Sequence, residues 1–221
     1  MATEVRTRMT PARAQTVVDV ESFGAAVLTV IQRYRALLMG VSALIVLVVV
    51  GMWYLGHRKQ VALEALRVGM AEVQAGNGEK AIPHLEQVRG ASAMGAEAQA
   101  LGMFYLGEAY VKVARKDDAK KAYEEALGFA KNAGEKTSYL QQMILIKLAQ
   151  DAAQRGDQAQ ARRWYDQAGE IEAPFQSEAL AQAGLAVEKT DKAAAVTYYE
   201  KLIAKDANHP LADVLGERVG K

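Results

Sequence analysis

Cysteine is absent from this 221-residue chain. Disulfides, thiolate nucleophiles and zinc–thiolate centres are therefore excluded. Charge of one sign is also lacking, since 27 Lys and Arg stand against 26 Asp and Glu, a formal net charge of +1. A protein that binds nucleic acid by counterion release needs a concentrated basic face, and this balance argues against one. Histidine is sparse. His57, His84 and His209 are scattered, with no i, i+4 pair and no carboxylate cluster beside them, so no metal site is expected. No convincing strand occurs, and so no Gly-rich phosphate loop can follow one. The acidic pairs Asp117-Asp118 and Glu124-Glu125 fall beside lysines, where solvated i, i+4 ion pairs are expected on a helix rather than a catalytic dyad. Nothing assembles into nucleophile, base and oxyanion donor. Neither enzyme activity nor a cofactor nor a small-molecule substrate is expected.

Apolar residues make up 51% of the chain, in one unbroken block followed by many short amphipathic segments. The block runs from Ala36 to Gly56 as ALLMGVSALIVLVVVGMWYLG, without a single charge. At about 1.5 Å rise per residue it crosses a hydrocarbon core of about 30 Å. Arg33 and Arg35 bound it on one side and His57, Arg58 and Lys59 on the other, with Trp53 and Tyr54 placed for an interfacial aromatic belt. A buried core helix is seldom apolar on every face for this length. A cleaved signal peptide would be shorter, start nearer the N-terminus and end in a small-residue cleavage site. An uncleaved single-pass anchor is the reading that remains. The basic residues of the two flanks nearly balance. Arg6, Arg8 and Arg13 tip the count toward a cytoplasmic tail, which puts the large domain outside the cytoplasm. Phe23, Val27, Ile31 and Tyr34 recur at helical spacing, so the anchor helix is expected over 20–57, with residues 1–19 as a disordered tail.

The rest, 60–221, repeats itself. In residues 100–133, Leu106-Gly107, Tyr110, Ala119, Tyr123 and Ala126-Leu127 recur at the tetratricopeptide (TPR) spacing L-G-x₂-Y, then A-x₃-F/Y-x₂-A-L. Small residues there let two antiparallel helices approach, while the tyrosines and Leu106 fill the space between them. The next copy carries Leu148-Ala149, Gly156, Ala161, Tyr165, Ala168 and Pro174. The one after it has Ala183, Ala195, Tyr199, Leu202-Ile203 and a KDANHP ending, with Gln182 and Thr190 in place of Leu and Gly. Another precedes the strong copy, at Val68-Gly69, Gly76, Ala81, Leu85 and Val88, where Pro83 should kink the second helix. The surplus over the regular repeat period falls at two junctions, RGASAMG and KNAGEKTSY. The fold class expected is all-α: a transmembrane helix, then a TPR-like superhelix of four hairpins. They fall near 62–95, 100–133, 142–175 and 176–209, with 210–221 as a short terminal helix over the last repeat's apolar face.

In such a superhelix the first helix of each hairpin lines the concave groove. Alignment of the copies puts Leu66, Met70 and Val73, then Leu101, Phe104, Glu108 and Val111 on that surface. Met143, Ile146 and Gln150, then Leu180 and Val187, continue it. At any one position core packing between helices is the alternative. The groove reads apolar, with methionine lending adaptability, and suits an amphipathic or extended apolar segment. Phe104 and Met143 are its expected anchors, with Leu101 and Ile146 beside them. Some TPR proteins clamp a partner's C-terminal carboxylate with Lys, Asn and Arg. The matching positions here hold Leu66, Met70 and Tyr105, which argues against a chaperone-tail adaptor.

An N-terminal anchor, the link HRKQ, the segment EKAIPHLEQV and four divergent hairpins together resemble the YfgM-like family of bacterial membrane-anchored TPR proteins. The likeness covers roughly 20–221, and the long basic tail departs from it. That resemblance implies a bacterial inner-membrane protein, ancillary to the Sec translocon, cooperating with periplasmic chaperones and meeting exported clients. The competing reading is a structural accessory subunit of a respiratory, photosynthetic or other integral complex, held through its anchor. Ala36-x₃-Gly40 and Gly51 offer small faces for such packing.

Overall fold

The computed structural model describes residues 20–210. The tail 1–19 and the terminal helix expected over 210–221 lie outside the described residues, apart from Pro210. Every regular element among them is helical. The chain divides into two units, 1–54 and 55–221.

In the first unit, α1 begins at Val20 and continues to Gln74. Leu37, Leu44, Leu47, Met52 and Trp53 are each more than 60% exposed. No side chain in the most apolar window, of mean hydropathy 2.5, is buried inside the protein. The helix is long and apolar enough to cross a membrane. Residues 57–60, expected as a link, are helical within α1.

The second unit takes the last turns of α1, residues 55–74, and adds α2 (Gly78–Arg89), α3 (Ala96–Lys112), α4 (Lys116–Ala133), α5 (Ser138–Gln154), α6 (Gln158–Glu170), α7 (Gln176–Val187) and α8 (Lys192–Lys205). Helices pair in order, α3 with α4, α5 with α6, α7 with α8, and α2, α4 and α6 each pack on the helix that follows. One core runs unbroken from Ala62 to Leu202.

What brings each pair together is a small residue facing a large one. A Cβ added at Gly69 would lie 2.6 Å from Leu85, one at Gly107 2.4 Å from Tyr123, and one at Gly184 2.2 Å from Tyr199. The third hairpin has Ala149 at this point, fully buried, sixteen positions before Tyr165 as Gly69 and Gly107 are before their partners. This corrects the fourth repeat's register. Gly184, not Ala183, is its close-approach residue, and its spacing to Tyr199 is one residue shorter.

The turn explains the deletion. The first three hairpins reverse through one left-handed residue: Gly76 (φ 85°), Ala114 (φ 59°) and Gly156 (φ 82°). Each is followed by a backbone N–H that reaches five residues back, Asn77 to Glu72 (2.8 Å), Arg115 to Tyr110 (2.9 Å) and Asp157 to Ala152 (2.9 Å). That is the Schellman closure. The fourth turn lacks the left-handed residue. There Asp191 N–H bonds Val187 (2.7 Å), while the Asp191 carboxylate caps α8 at the Ala194 N–H (3.0 Å).

The extra residues between the second and third hairpins form a 3-10 turn, Gly134–Thr137. Gly134 adopts φ 73°, ψ −148°, a region open essentially to glycine. Buried Thr137 donates its hydroxyl to the Ala130 carbonyl (2.7 Å). Pro83 lies on the exposed side of α2, which runs on without a break. Its missing donor removes the α2 hydrogen bond to the carbonyl of Glu79, itself an exposed residue.

Ala114 is the one non-glycine with positive φ among the described residues. Ala114→Gly should stabilise the chain by about 1 kcal/mol, because an L-residue is strained by about 1–2 kcal/mol in that region. Gly156→Ala should destabilise by a similar amount. Urea midpoints of the three chains check both.

Candidate functional site

The first helices come together at their edges, α3 against α5 and α5 against α7, and so present one continuous row. The expected groove residues divide along it. Leu66, Phe104 and Ile146 are 5–8% exposed, and Val73, Leu180 and Val187 are buried as well. They pack between helices. Met70, Leu101, Glu108, Met143 and Gln150 are half-buried, and Val111 is 52% exposed. These six keep part of their surface open to solvent.

Phe104 sits in an aromatic group, edge-on to Tyr105 with centroids 5.6 Å apart and 5.9 Å from Tyr123. The small Gly107 one turn on admits the Tyr123 ring between α3 and α4. That ring carries its hydroxyl to the row, where it donates to Glu108 Oε1 at 2.5 Å. The same carboxylate takes Lys147 of α5 at 2.9 Å. Glu108 is thus committed to tying α3, α4 and α5 together. Burial, then the Glu108 hydrogen bond, raise the Tyr123 phenol well above its ordinary range, which keeps it a neutral donor. Beside this node a depression of about 210 Å³ is lined by Val111, Ala119 and Tyr123, with Lys116, Lys147, Asp151, Gln150 and Gln154 as its polar side chains. Among the described residues no group of three or more His, Asp or Glu could hold a metal ion.

Two further kinds of contact were not foreseen from the sequence. Tyr110 and Tyr198 repeat the tyrosine–carboxylate bond, Tyr110 donating to Glu86 (2.6 Å) and Tyr198 to Asp166. Burial and Glu86 push the Tyr110 phenol up to about 12. Ion pairs also cross each repeat boundary: Arg89–Glu125 (2.9 Å), Asp117–Arg155 (2.6 Å) and Arg162–Asp191 (3.6 Å). Asp117 and Glu125 therefore bond neighbouring repeats. Lys120–Glu124 does form the local i, i+4 pair, at 3.9 Å. Exposed pairs of this kind contribute little to stability.

Gln142 is fully buried on α5. Its amide donates to the Ala168 and Ile171 carbonyls (3.1 and 2.6 Å) and its oxygen accepts the Phe175 N–H (2.9 Å). It closes the C-terminus of α6 and shapes the loop into α7. A glutamine at an apolar-periodic position is the signal that could have found it.

No protein-family model matches the sequence, and no curated protein matches it. Solved structures do. Two crystal structures of MamA are similar: one is 24% identical, over 66% of this chain and 78% of that chain, with a TM-score of 0.54. The other is 25% identical, over 68% and 78%, with a TM-score of 0.53. A Podosopora anserina protein described as a kinesin light chain, with nearly identical TPR-like repeats, is 16% identical over 74% and 85%, at 0.56. The fold is a TPR-like helical repeat. These likenesses are of architecture.

Phe104→Ala should cost about 3–5 kcal/mol of stability, the range for truncating a buried aromatic. Circular dichroism melting of the full chain checks it. An unchanged melt would mean that Phe104 faces a partner instead.

Proposed function

We propose that this chain is a non-catalytic, single-pass membrane protein whose repeats dock other proteins. One observation carries the reading. The hairpins bury most of their apolar side chains, yet apolar surface stays open in the span around Leu47 (69% exposed) and in part along the row of Met70, Leu101, Val111 and Met143. Apolar surface left in water is unfavourable by about 25 cal/mol per Å². Lipid accounts for the span, and an apolar or amphipathic protein segment accounts for the row.

Residues 36–56 then anchor the chain in a bacterial inner membrane. The arginine-bearing tail lies in the cytoplasm and the repeats on the periplasmic side. The YfgM-like arrangement supports a Sec-associated or chaperone-associated role, with newly exported clients as occupants of the row. Leu101 and Met143 are its contact residues, supported by Met70, Glu108 and Gln150. The second reading is an accessory subunit held through its anchor. It is supported by Gly40 and Gly51, where an added Cβ would meet nothing within 4 Å, leaving small faces open to another helix.

Purification of the full chain in mild detergent separates the two. A Leu101→Glu, Met143→Glu double variant should lose the co-purifying protein while melting close to the parent. Replacing 36–56 with an unrelated apolar helix should retain it. The reverse pattern would establish the accessory-subunit reading. A reporter fused after Lys221 that behaves as cytoplasmic would overturn the orientation.

A further inference from the structure

The third and fourth repeats leave a cleft of about 380 Å³ between their second helices, α6 and α8, over the start of α7. Its floor is apolar. Leu180 of α7 packs against Gly169 of α6, where an added Cβ would lie 3.1 Å from it. Gln176, the first residue of α7, also lines the cleft. Its amide donates to the Gly169 carbonyl (2.8 Å). Its Oε1 is buried and accepts no hydrogen bond from any described residue. A buried acceptor without a donor carries its desolvation penalty uncompensated.

The two walls carry opposite charge. Lys201 and Lys205 stand one turn apart on α8, and Asp166 and Glu170 one turn apart on α6. Asp166 is already engaged, accepting the Tyr198 hydroxyl and lying 4.0 Å from Arg162. Lys201, Lys205 and Glu170 are exposed, and among the described residues none of the three belongs to an ion pair. The walls therefore stand too far apart to neutralise each other directly. An anion is wanted at one side, a cation at the other, and an N–H donor between them.

We propose that this cleft binds a free zwitterionic peptide of two or three residues, with an apolar side chain. The peptide's carboxylate meets Lys201 and Lys205, its ammonium meets Glu170, and a backbone N–H satisfies Gln176 Oε1. Its apolar side chain lies over Leu180 and Gly169. Three extended residues span at most about 10 Å, enough to carry opposite charges to facing walls. A single amino acid holds its two charges on one carbon and cannot reach both. A phosphate would face two carboxylates and bring no N–H. The cleft shares no residue with the row of Met70, Leu101, Val111 and Met143, so it stands whether or not that row docks a protein.

Isothermal titration calorimetry of the full chain in detergent tests this, with the tripeptide alanyl-leucyl-alanine as the probe. The free tripeptide should bind, and acetylating its amine or amidating its carboxylate should each weaken binding about ten-fold or more. The variants then assign the ends. Lys201→Ala with Lys205→Ala should bind the free and amidated peptides alike, and Glu170→Gln should bind the free and acetylated peptides alike. Both should melt with the parent, because the side chains removed are exposed and unpaired. The Leu101→Glu, Met143→Glu variant should bind the tripeptide as the parent does, which keeps this site distinct from the row. No binding of the free tripeptide at millimolar concentration would overturn the proposal. So would capped peptides that bind the parent equally well, or free leucine that binds as tightly as the tripeptide.

Discussion

Helix separation inside each hairpin is set where the backbone of one helix has no side chain to spare. At Gly69, Gly107 and Gly184 the partner side chain, Leu85, Tyr123 or Tyr199, occupies the volume a Cβ would need. A ring seated against bare backbone exchanges one methyl group for many close contacts, and dispersion rewards that density. The consequence spreads outward. With the second helix drawn in, the hydroxyl of Tyr123 emerges at the inner row and meets Glu108, which meets Lys147 of the next hairpin. One packing event thereby couples helices within a repeat and between repeats.

Such an array is held by contacts between sequence neighbours, so stability accumulates repeat by repeat. The polar contacts are spent on that task. Tyr110, Tyr123 and Tyr198 each donate to a carboxylate, Gln142 closes α6, and ion pairs bridge successive repeats. The six buried members of the expected groove set, Phe104 among them, serve the core. The members that stay partly open are correspondingly plain: Leu101, Met143 and Met70, with the Gln150 amide.

The all-helical fold and its repeat spacing could be read from residues, because small and large side chains recur at intervals that only a helical hairpin explains. Leu106-Gly107, Tyr110 and Tyr123 carried that reading. The fourth repeat misled by one residue, since alanines at 179, 181 and 183 flank Gly184 and a fixed repeat period favours Ala183. Which of several small residues meets Tyr199 depends on how the turn closes, and the Asp191 cap replaces a left-handed glycine there. Groove and core positions on the first helices were not separable either. Both faces are apolar at helical period, and only packing tells buried Phe104 from half-buried Leu101.

A double-mutant cycle at Gly184 and Tyr199 tests the close-approach account most directly. Thermal or urea midpoints are needed for Gly184→Ala, Tyr199→Leu, the double variant and the parent, each as the full chain in detergent. Gly184→Ala alone should destabilise by about 1–3 kcal/mol, the usual cost of overpacking a tight core. In the Tyr199→Leu background the added methyl should cost far less, because the ring that excludes it is gone, so the double variant loses less than the sum. Additive losses would contradict the claim, placing Ala183 or another neighbour at the point of contact.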